Sequence, residues 1–402
     1  MRPRLTLTLL SLSHAVIHAQ SALMPLVYTI VIAEFALSAS DIGLFIAITT
    51  AVGGVMQLIY GFVNRWMPRP ALLGVGQLVF GGALVSAGVA SSVGGLLASI
   101  SAARIGASPQ HVVGNALLSD IYPVTRRGFA ISAHISGGNV GTIIVPFLGA
   151  WLLAAFGWNV TLALFGLPAL IVGALILLLV REDTVAYRRR ARDAGTLRAQ
   201  LGEVLGRRDL RLILGASLVA AGGRGLDLVA PFMLLYLRGP LGIDEGTTAV
   251  LYALLLVGAV IGPILAGWLS DRYGRRPTLI AYYVLSAAGI AAFLAAGANL
   301  LLLVPLLLPF GTAVFSESPV LQAYLADRAE GPIRDMAFAV YFTVAFGVGA
   351  AWALIMGNVA DAFGYPVTFS LMAVSYLAAA ALLLLVRETG SAAQQTGTPS
   401  QI

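Results

Sequence analysis

A small set of ionisable residues stands inside otherwise apolar runs, and each is of a type that carries protons or holds a charged ligand. The segment SLSHAVIHAQSA puts His14 and His18 four residues apart, on one face of a helix. An imidazole with its ordinary pKa of about 6.5 exchanges protons across a biological pH gradient, so the pair suits proton-driven work. A plain hydrogen bond from one of them to a neighbouring helix is the alternative use. The segment GGRGLDLVAP carries Arg224 and Asp227 three apart, between glycines and Pro231 that can open a helix. Arg224 is expected to hold an anionic group while Asp227 orients it or exchanges protons; a self-contained ion pair of the two is the alternative. Glu317, in FSESPV, has no cation beside it in the chain and precedes a proline, which makes it a candidate proton-coupling group. Arg104 and His111 share another apolar run, and His134 in the next is expected to be structural.

These residues matter because of where the elements put them. Of 402 residues 59% are hydrophobic and 10% charged, against about 25% charged in a soluble domain, so the chain is expected to live in a bilayer. A charge at mid-bilayer costs at least about 2.5 kcal/mol on insertion scales, which makes each one a functional candidate facing a cavity. Cutting the chain into apolar runs of roughly 20 residues gives twelve: 7–32, 41–63, 70–92, 93–117, 128–155 and 158–180, then 210–236, 245–269, 277–296, 299–325, 335–359 and 364–386. The expected organisation is a six-helix bundle over 1–180, a linker over 181–209, a second six-helix bundle over 210–390 and a disordered tail over 391–402. The first run is read as a retained helix, since it continues past position 30 without a small-x-small cleavage site.

All 24 basic residues are arginine, giving a net charge of +6, but they fall in short loops beside the apolar runs, so they are read as orientation signals and no nucleic-acid partner is expected. Outside the expected cytoplasmic segments stand only Arg238 in an outer loop and Arg104 and Arg224 within the membrane. Both termini are therefore expected in the cytoplasm. There is no cysteine, which excludes disulfides and thiolate metal sites.

The loop after the eighth run reads GWLSDRYGRRP, with Gly267, Asp271, Arg272, Gly274, Arg275 and Arg276. It resembles motif A of the major facilitator superfamily, and the twelve-span, six-plus-six plan resembles that family over essentially the whole chain. The resemblance implies two six-helix bundles working by alternating access, a bacterial-type inner membrane, a monomer that suffices, and a cytoplasmic gate. In that gate Asp271 would face the N-terminus of span 11, where the helix dipole favours a carboxylate and Arg334 stands as a partner. The corresponding first-half loop, GFVNRWMPRP, keeps Gly61 but has Arg65 where the aspartate would be. Setting Gly61 on Gly267 gives a repeat offset of 206 residues, which places His18 on Arg224 and His111 on Glu317. Spans 1, 4, 7 and 10, which carry them, line the central cavity in the superfamily, and a site at a repeat interface is the expected transporter plan.

Within the superfamily the first 150 residues most resemble the fosmidomycin-resistance group of drug exporters, through LSLSH at His14, AEFALSASDIGL, the PRP after the first-half loop, GASPQH and RRGFAISAHISGGNVG. The chain departs from that group at Ile17–His18, where an asparagine-aspartate pair is usual, and at Val112–Val113, where proline-glutamate is. GTIIVPFLGA, residues 141–150, resembles motif C of proton-coupled antiporters, and Arg104 resembles the intramembrane arginine of motif B, tied to proton movement.

The expected function is a proton-coupled secondary active transporter, an antiporter exporting a small, partly apolar drug or metabolite bearing an acidic group. Its substrate would meet Arg224, His14, His18, His111, Tyr28, Phe232 and Tyr324; its protons would move on Glu317, Asp227, His18 and Arg104. A proton-coupled importer of an organic anion or metal chelate is the first alternative, and a membrane sensor that no longer transports is the second. Histidines 14, 18 and 111 with Glu317 are ligand types for a transition metal, but no metal centre and no cofactor are expected. An enzyme is excluded by the lack of any metalloprotease helix pair or serine-elbow motif.

Overall fold

Every apolar run becomes helix, and where the helices stop is set by local caps. Ser38 and Asp41 form a capping box at the start of span 2, and Ser92, Asp244 and Asn299 accept hydrogen bonds from the first turns they precede, each satisfying backbone donors that a helix leaves open. The structure, a computed structural model, describes residues 3–64, 66–182, 197–329 and 332–386; within these the side chains of 119, 124–129, 131, 132, 136, 197 and 332–335 lie outside the described set. Arg65, the side chain of Arg334, much of the expected linker and the expected tail fall outside it.

The first half runs span 1 (Pro3–Glu34), span 2 (Ala39–Val63), span 3 (Arg69–Ala87), span 4 (Val93–Ala107 continuing to Ile121), span 5 (from Val124) and span 6 (to Leu179). A helix Leu197–Gly206 follows. The second half runs span 7 (Arg208–Arg238), span 8 (Glu245–Tyr273), span 9 (Arg275–Ala296), span 10 (Leu300–Arg328), span 11 (Pro332–Phe363) and span 12 (Tyr365–Leu384). Among the described residues ten helices are long and apolar enough to cross a bilayer. One of them, Ala133–Leu179, is two spans broken at Gly157, whose φ of 73° an L side chain rarely adopts. Span 4, interrupted by a π-helical turn at Gln110–Gly114, completes the twelve. The chain is an all-α, multi-pass membrane protein.

Several spans are discontinuous. Span 7 passes through a 3₁₀ turn at Ala221–Gly223, an extended Arg224 (φ −61°, ψ 128°) and a π turn at Gly225–Val229. Span 10 breaks at Phe315–Ser316 and restarts at Glu317. Spans 5 and 11 carry π turns at Val145–Gly149 and Thr343–Val348. Such interruptions are tolerated at membrane depth only where neighbours satisfy the freed backbone groups.

In lipid, helices associate by close packing rather than by hydrophobic drive, and glycines supply it here. Span 5 lies against span 1 along Gly137, Gly138 and Gly141; a Cβ on Gly137 would stand 2.8 Å from Ser11, and one on Gly141 would strike the carbonyl of Ala15. Spans 2 and 11 meet across the two halves through Gly43 with Ala353, Gly54 with Gly347, and Gly357, where a Cβ would come within 2.6 Å of the Ala39 carbonyl. The face remote from the chain ends, here the far side, is closed by this contact and by three hydrogen bonds between halves. Asp361 of span 11 accepts from the Ala39 and Ser40 amides at 2.9 and 2.8 Å, capping span 2 from the other half. Tyr252 of span 8 donates to the Ala22 carbonyl at 2.8 Å.

Gly141→Ala is expected to destabilise the protein by about 1–3 kcal/mol through overpacking of spans 1 and 5, read as a lowered melting temperature in detergent; Gly215→Ala, where nothing lies within 4 Å, is expected to leave it unchanged. Asp361→Ala is expected to loosen the far side. Spin labels on Val89→Cys and Leu301→Cys, exposed far-side positions of the two halves in a chain with no native cysteine, report it as a distance distribution shifted to longer separations.

Candidate functional site

The breaks in spans 7 and 10 bring Arg224 and Glu317 together, 93 residues apart in sequence. An Arg224 Nη lies 3.2 Å from a Glu317 carboxylate oxygen, with both side chains almost buried. The other arm of the guanidinium donates to the Ala345 carbonyl in the π turn of span 11 at 2.7 Å, and the group lies over the Phe346 ring, 4.9 Å from its centre. The second Glu317 oxygen is buried without a partner. Glu317 opens the lower helix of span 10, where the helix dipole favours a carboxylate. The sequence reading of Glu317 as lacking a cation holds only locally, because the partner comes from another span. The pair expected within GGRGLDLVAP does not form: Arg224 turns to Glu317, and Asp227 has no ion-pair partner among the described residues.

The first half gathers all four histidines of the chain. The ring centres of His14 and His18 are 4.4 Å apart, those of His14 and His111 4.9 Å, and those of His18 and His111 6.0 Å. His134 stacks on His14 at 4.5 Å, and its carbonyl lies 3.0 Å from His14 Nδ1. Gly138 makes room for this: a Cβ there would stand 3.1 Å from the His14 ring. His111 sits on the π turn of span 4, a feature often found at functional sites. The repeat offset is thus visible in space, since the two pairs of equivalent positions, His18 with His111 and Arg224 with Glu317, each meet.

Beside Arg224 and Arg104 lie two narrow cavities that share Ile46 and Asp227 and that no histidine lines. One is lined by Thr50, Arg224, Leu228 and the span 11 backbone near Ala345, the other by Ser21, Tyr28, Arg104, Leu226 and Pro231. Asp227 therefore stands between two arginines. Phe232 and Tyr324 line neither cavity: Phe232 packs by Tyr365, 6.4 Å between ring centres, and Tyr324 accepts from Arg328 at 3.2 Å. Sequence reasoning missed the span 11 aromatics. His111 stacks on Phe342 at 5.8 Å and Phe342 lies 6.1 Å from Phe346, so a row of rings connects the histidine cluster to Arg224. Phenylalanines four apart in YFTVAFG were the available signal.

In the gate motif the described bonds run within the loop and to the ends of spans 10 and 12. Asp271 is exposed and pairs with Arg275 four residues on. Arg275 also reaches Asp327 at 3.1 Å and Ser270 at 2.6 Å, so the described bonds of Asp271 and Arg275 stay within the second half. Arg272 lies over Trp268 and Tyr273, Arg276 donates to the Leu383 and Leu384 carbonyls at the end of span 12, and Gly274 turns the chain with φ 94°. Gly267 has open space at its Cβ position. Arg334, the expected partner of Asp271, lies outside the described side chains. A residue not singled out, Arg69, stands 206 positions before Arg275 and pairs with Asp120 at 2.6 Å; the first-half loop keeps this ion pair although it lacks the aspartate.

The model of the Major Facilitator Superfamily matches residues 10–232 and 213–401. Over 358 residues the chain is 24% identical to the fosmidomycin resistance protein of Escherichia coli K12, covering 88% of this chain and 85% of that one. It is 26% identical to a probable 4-methylmuconolactone transporter of Cupriavidus pinatubonensis, covering 89% and 83%, and 22% identical to the 4-hydroxybenzoate transporter PcaK of Acinetobacter baylyi, covering 79% and 74%. Among solved structures the nucleoside transporter NupG (D323A mutant) superposes with a TM-score of 0.78 at 13% identity, covering 96% of this chain and all of that one. A bacterial homologue of the lysosomal transporter Spinster superposes with 0.70 at 17% identity, covering 96% and 95%.

Glu317→Gln is expected to cost about 3–5 kcal/mol, because it leaves a buried guanidinium uncompensated. Adding Arg224→Met is expected to restore most of that loss, and thermal unfolding of the two single variants and the double in detergent measures the coupling.

Proposed function

The chain belongs to the major facilitator superfamily, and we propose from that premise that it is a proton-coupled antiporter exporting a small, partly apolar molecule that bears an acidic group. The observation that carries this reading is the Arg224–Glu317 pair, held between two broken helices at the edge of the cavities. Glu317 neutralises Arg224 while the site is empty, and its second oxygen has no partner. The substrate's acidic group joins the guanidinium while a donor group of the substrate takes that free oxygen, which requires Glu317 to be deprotonated; a proton on the same oxygen removes the acceptor and expels the substrate. Proton and substrate thus compete for Glu317, which is the requirement for antiport. Asp227 and Arg104 set the charge of the cavity, Tyr28 and Ile46 offer apolar wall, and His18 with His111 stands on the first-half side. Alternating access then moves this site between the far side and the side of the chain ends; the arginine-rich loops support a cytoplasmic position for the latter, in a monomer held by a bacterial-type inner membrane. The expected bundles, 1–180 and 210–390, would be the moving bodies.

Import is the second reading, and the row of rings from His111 to Phe346 favours it for aromatic acids. A carboxylate on Arg224 would leave its ring beside Phe346 and Phe342. A relative named as a 4-hydroxybenzoate transporter supports the same substrate chemistry.

The test is transport in liposomes holding a pH-sensitive dye, with a phosphonate antibiotic, an aromatic carboxylate, a lipophilic cation and a ferric chelate offered in turn. Proton movement opposite to an acidic substrate is expected, and movement in the same direction would replace export by uptake. Glu317→Gln is expected to abolish coupled proton movement; a variant that still moves protons at the wild-type rate sinks the role of Glu317.

A further inference from the structure

We infer that His14, His18 and His111 form a transition-metal site, binding zinc or another borderline divalent cation through three imidazole nitrogens. One nitrogen from each ring can be chosen so that all lie within 4.8 Å of one another. A tetrahedral zinc with bonds of about 2.0–2.1 Å needs its ligand nitrogens about 3.4 Å apart, so small ring rotations close the site. The ring planes stand steeply to each other, at 86° for His14 and His18, 84° for His14 and His111 and 63° for His18 and His111, as rings directed at a common centre do.

His14 is prepared for this role. Its Nδ1 lies 3.0 Å from the His134 carbonyl; donating that bond fixes the proton on Nδ1 and leaves the lone pair on Nε2, the arrangement found behind metal-ligating histidines. Nε2 is buried and has no hydrogen-bond partner, in a side chain 2% exposed. An unmatched buried acceptor carries a penalty of desolvation, and a cation removes it. Gly138 leaves room for the ring, since a Cβ there would lie 3.1 Å from it. An all-imidazole donor set suits zinc, copper, nickel or cobalt and not magnesium or calcium. Three protein ligands leave a fourth position for water or an anion. A bound ion would tie span 1 to span 4 where both face the centre.

This goes beyond the transport reading, and binding measured in detergent without any flux keeps the two separate. The purified full-length chain, free of any histidine tag, is titrated with zinc by calorimetry and with cobalt by visible absorption. One ion per chain is expected, with a cobalt spectrum of nitrogen-ligated tetrahedral type. His18→Asn and His111→Asn are each expected to weaken zinc by more than tenfold. Gly138→Ala, which keeps every ligand and shifts His14, is expected to weaken it by about tenfold. Melting temperatures in the absence of metal identify variants that remain folded. No saturable zinc binding by the wild type, or wild-type affinity in a folded His18→Asn/His111→Asn double variant, overturns the site.

Discussion

A guanidinium in the middle of a bilayer must be neutralised, and the second half of this protein is built around meeting that requirement. Arg224 reaches Glu317 and the Ala345 carbonyl at once, and neither contact exists unless three helices are interrupted. Span 7 opens at GGRG so that Arg224 leaves the helical path, span 10 restarts at Glu317, and span 11 offers the backbone of its π turn. Each interruption frees backbone groups that must find partners. Tyr376 meets one of these needs by donating to the Gly223 carbonyl, and the small size of Gly222, Gly223 and Gly225 lets span 12 and Phe315 close over the break. Broken helices, glycines and buried charge are thus consequences of one constraint.

The two halves meet this constraint with different chemistry at related positions. Where the second half has a fixed cation and a carboxylate, the first has imidazoles, which are neutral or cationic according to their surroundings and need no permanent counter-charge. The first half can therefore keep span 1 an unbroken helix from Pro3 to Glu34, while span 7 cannot be one. Span 4 still carries a π turn at His111, so the helix distortion follows the functional position even where the charge is absent. The ion pairs at the loop motifs obey the same relation. Arg69 with Asp120 and Arg275 with Asp327 each fasten a loop to the end of a span in its own half.

Much of this was legible in the chain. Run length sets the spans, glycine and proline mark the opening of span 7, and the repeat offset of 206 relates His18 to Arg224 and His111 to Glu317. What was not legible depends on side chains that converge from distant segments. Glu317 reads as isolated because its partner lies 93 residues away. Arg224 and Asp227 read as a pair because three residues apart on an intact helix they would be neighbours; the extended backbone at Arg224 cancels that geometry. Phe232 and Tyr324 are aromatic and close in sequence to the charged positions, but their contacts are with Tyr365 of span 12 and with Arg328, which the sequence does not reveal. Asp361, which falls between two apolar runs in the sequence, is a helix cap supplied between halves.

That cap indicates how the far side can be both sealed and openable. The contact of spans 2 and 11 is made largely by glycine and backbone, so it is tight without being chemically strong, and in lipid its separation forfeits dispersion contacts and little else. The bonds from Ala39 and Ser40 to the exposed Asp361 together act as an N-cap does, adding about 0.5–2 kcal/mol, because water at the far side compensates both partners when they part. Span 2 retains its own capping box from Ser38 and Asp41, so its N-terminus stays ordered when Asp361 leaves. A seal of this composition biases the protein toward closure by a few kcal/mol, within the range that occupation or protonation of the Arg224 site can offset.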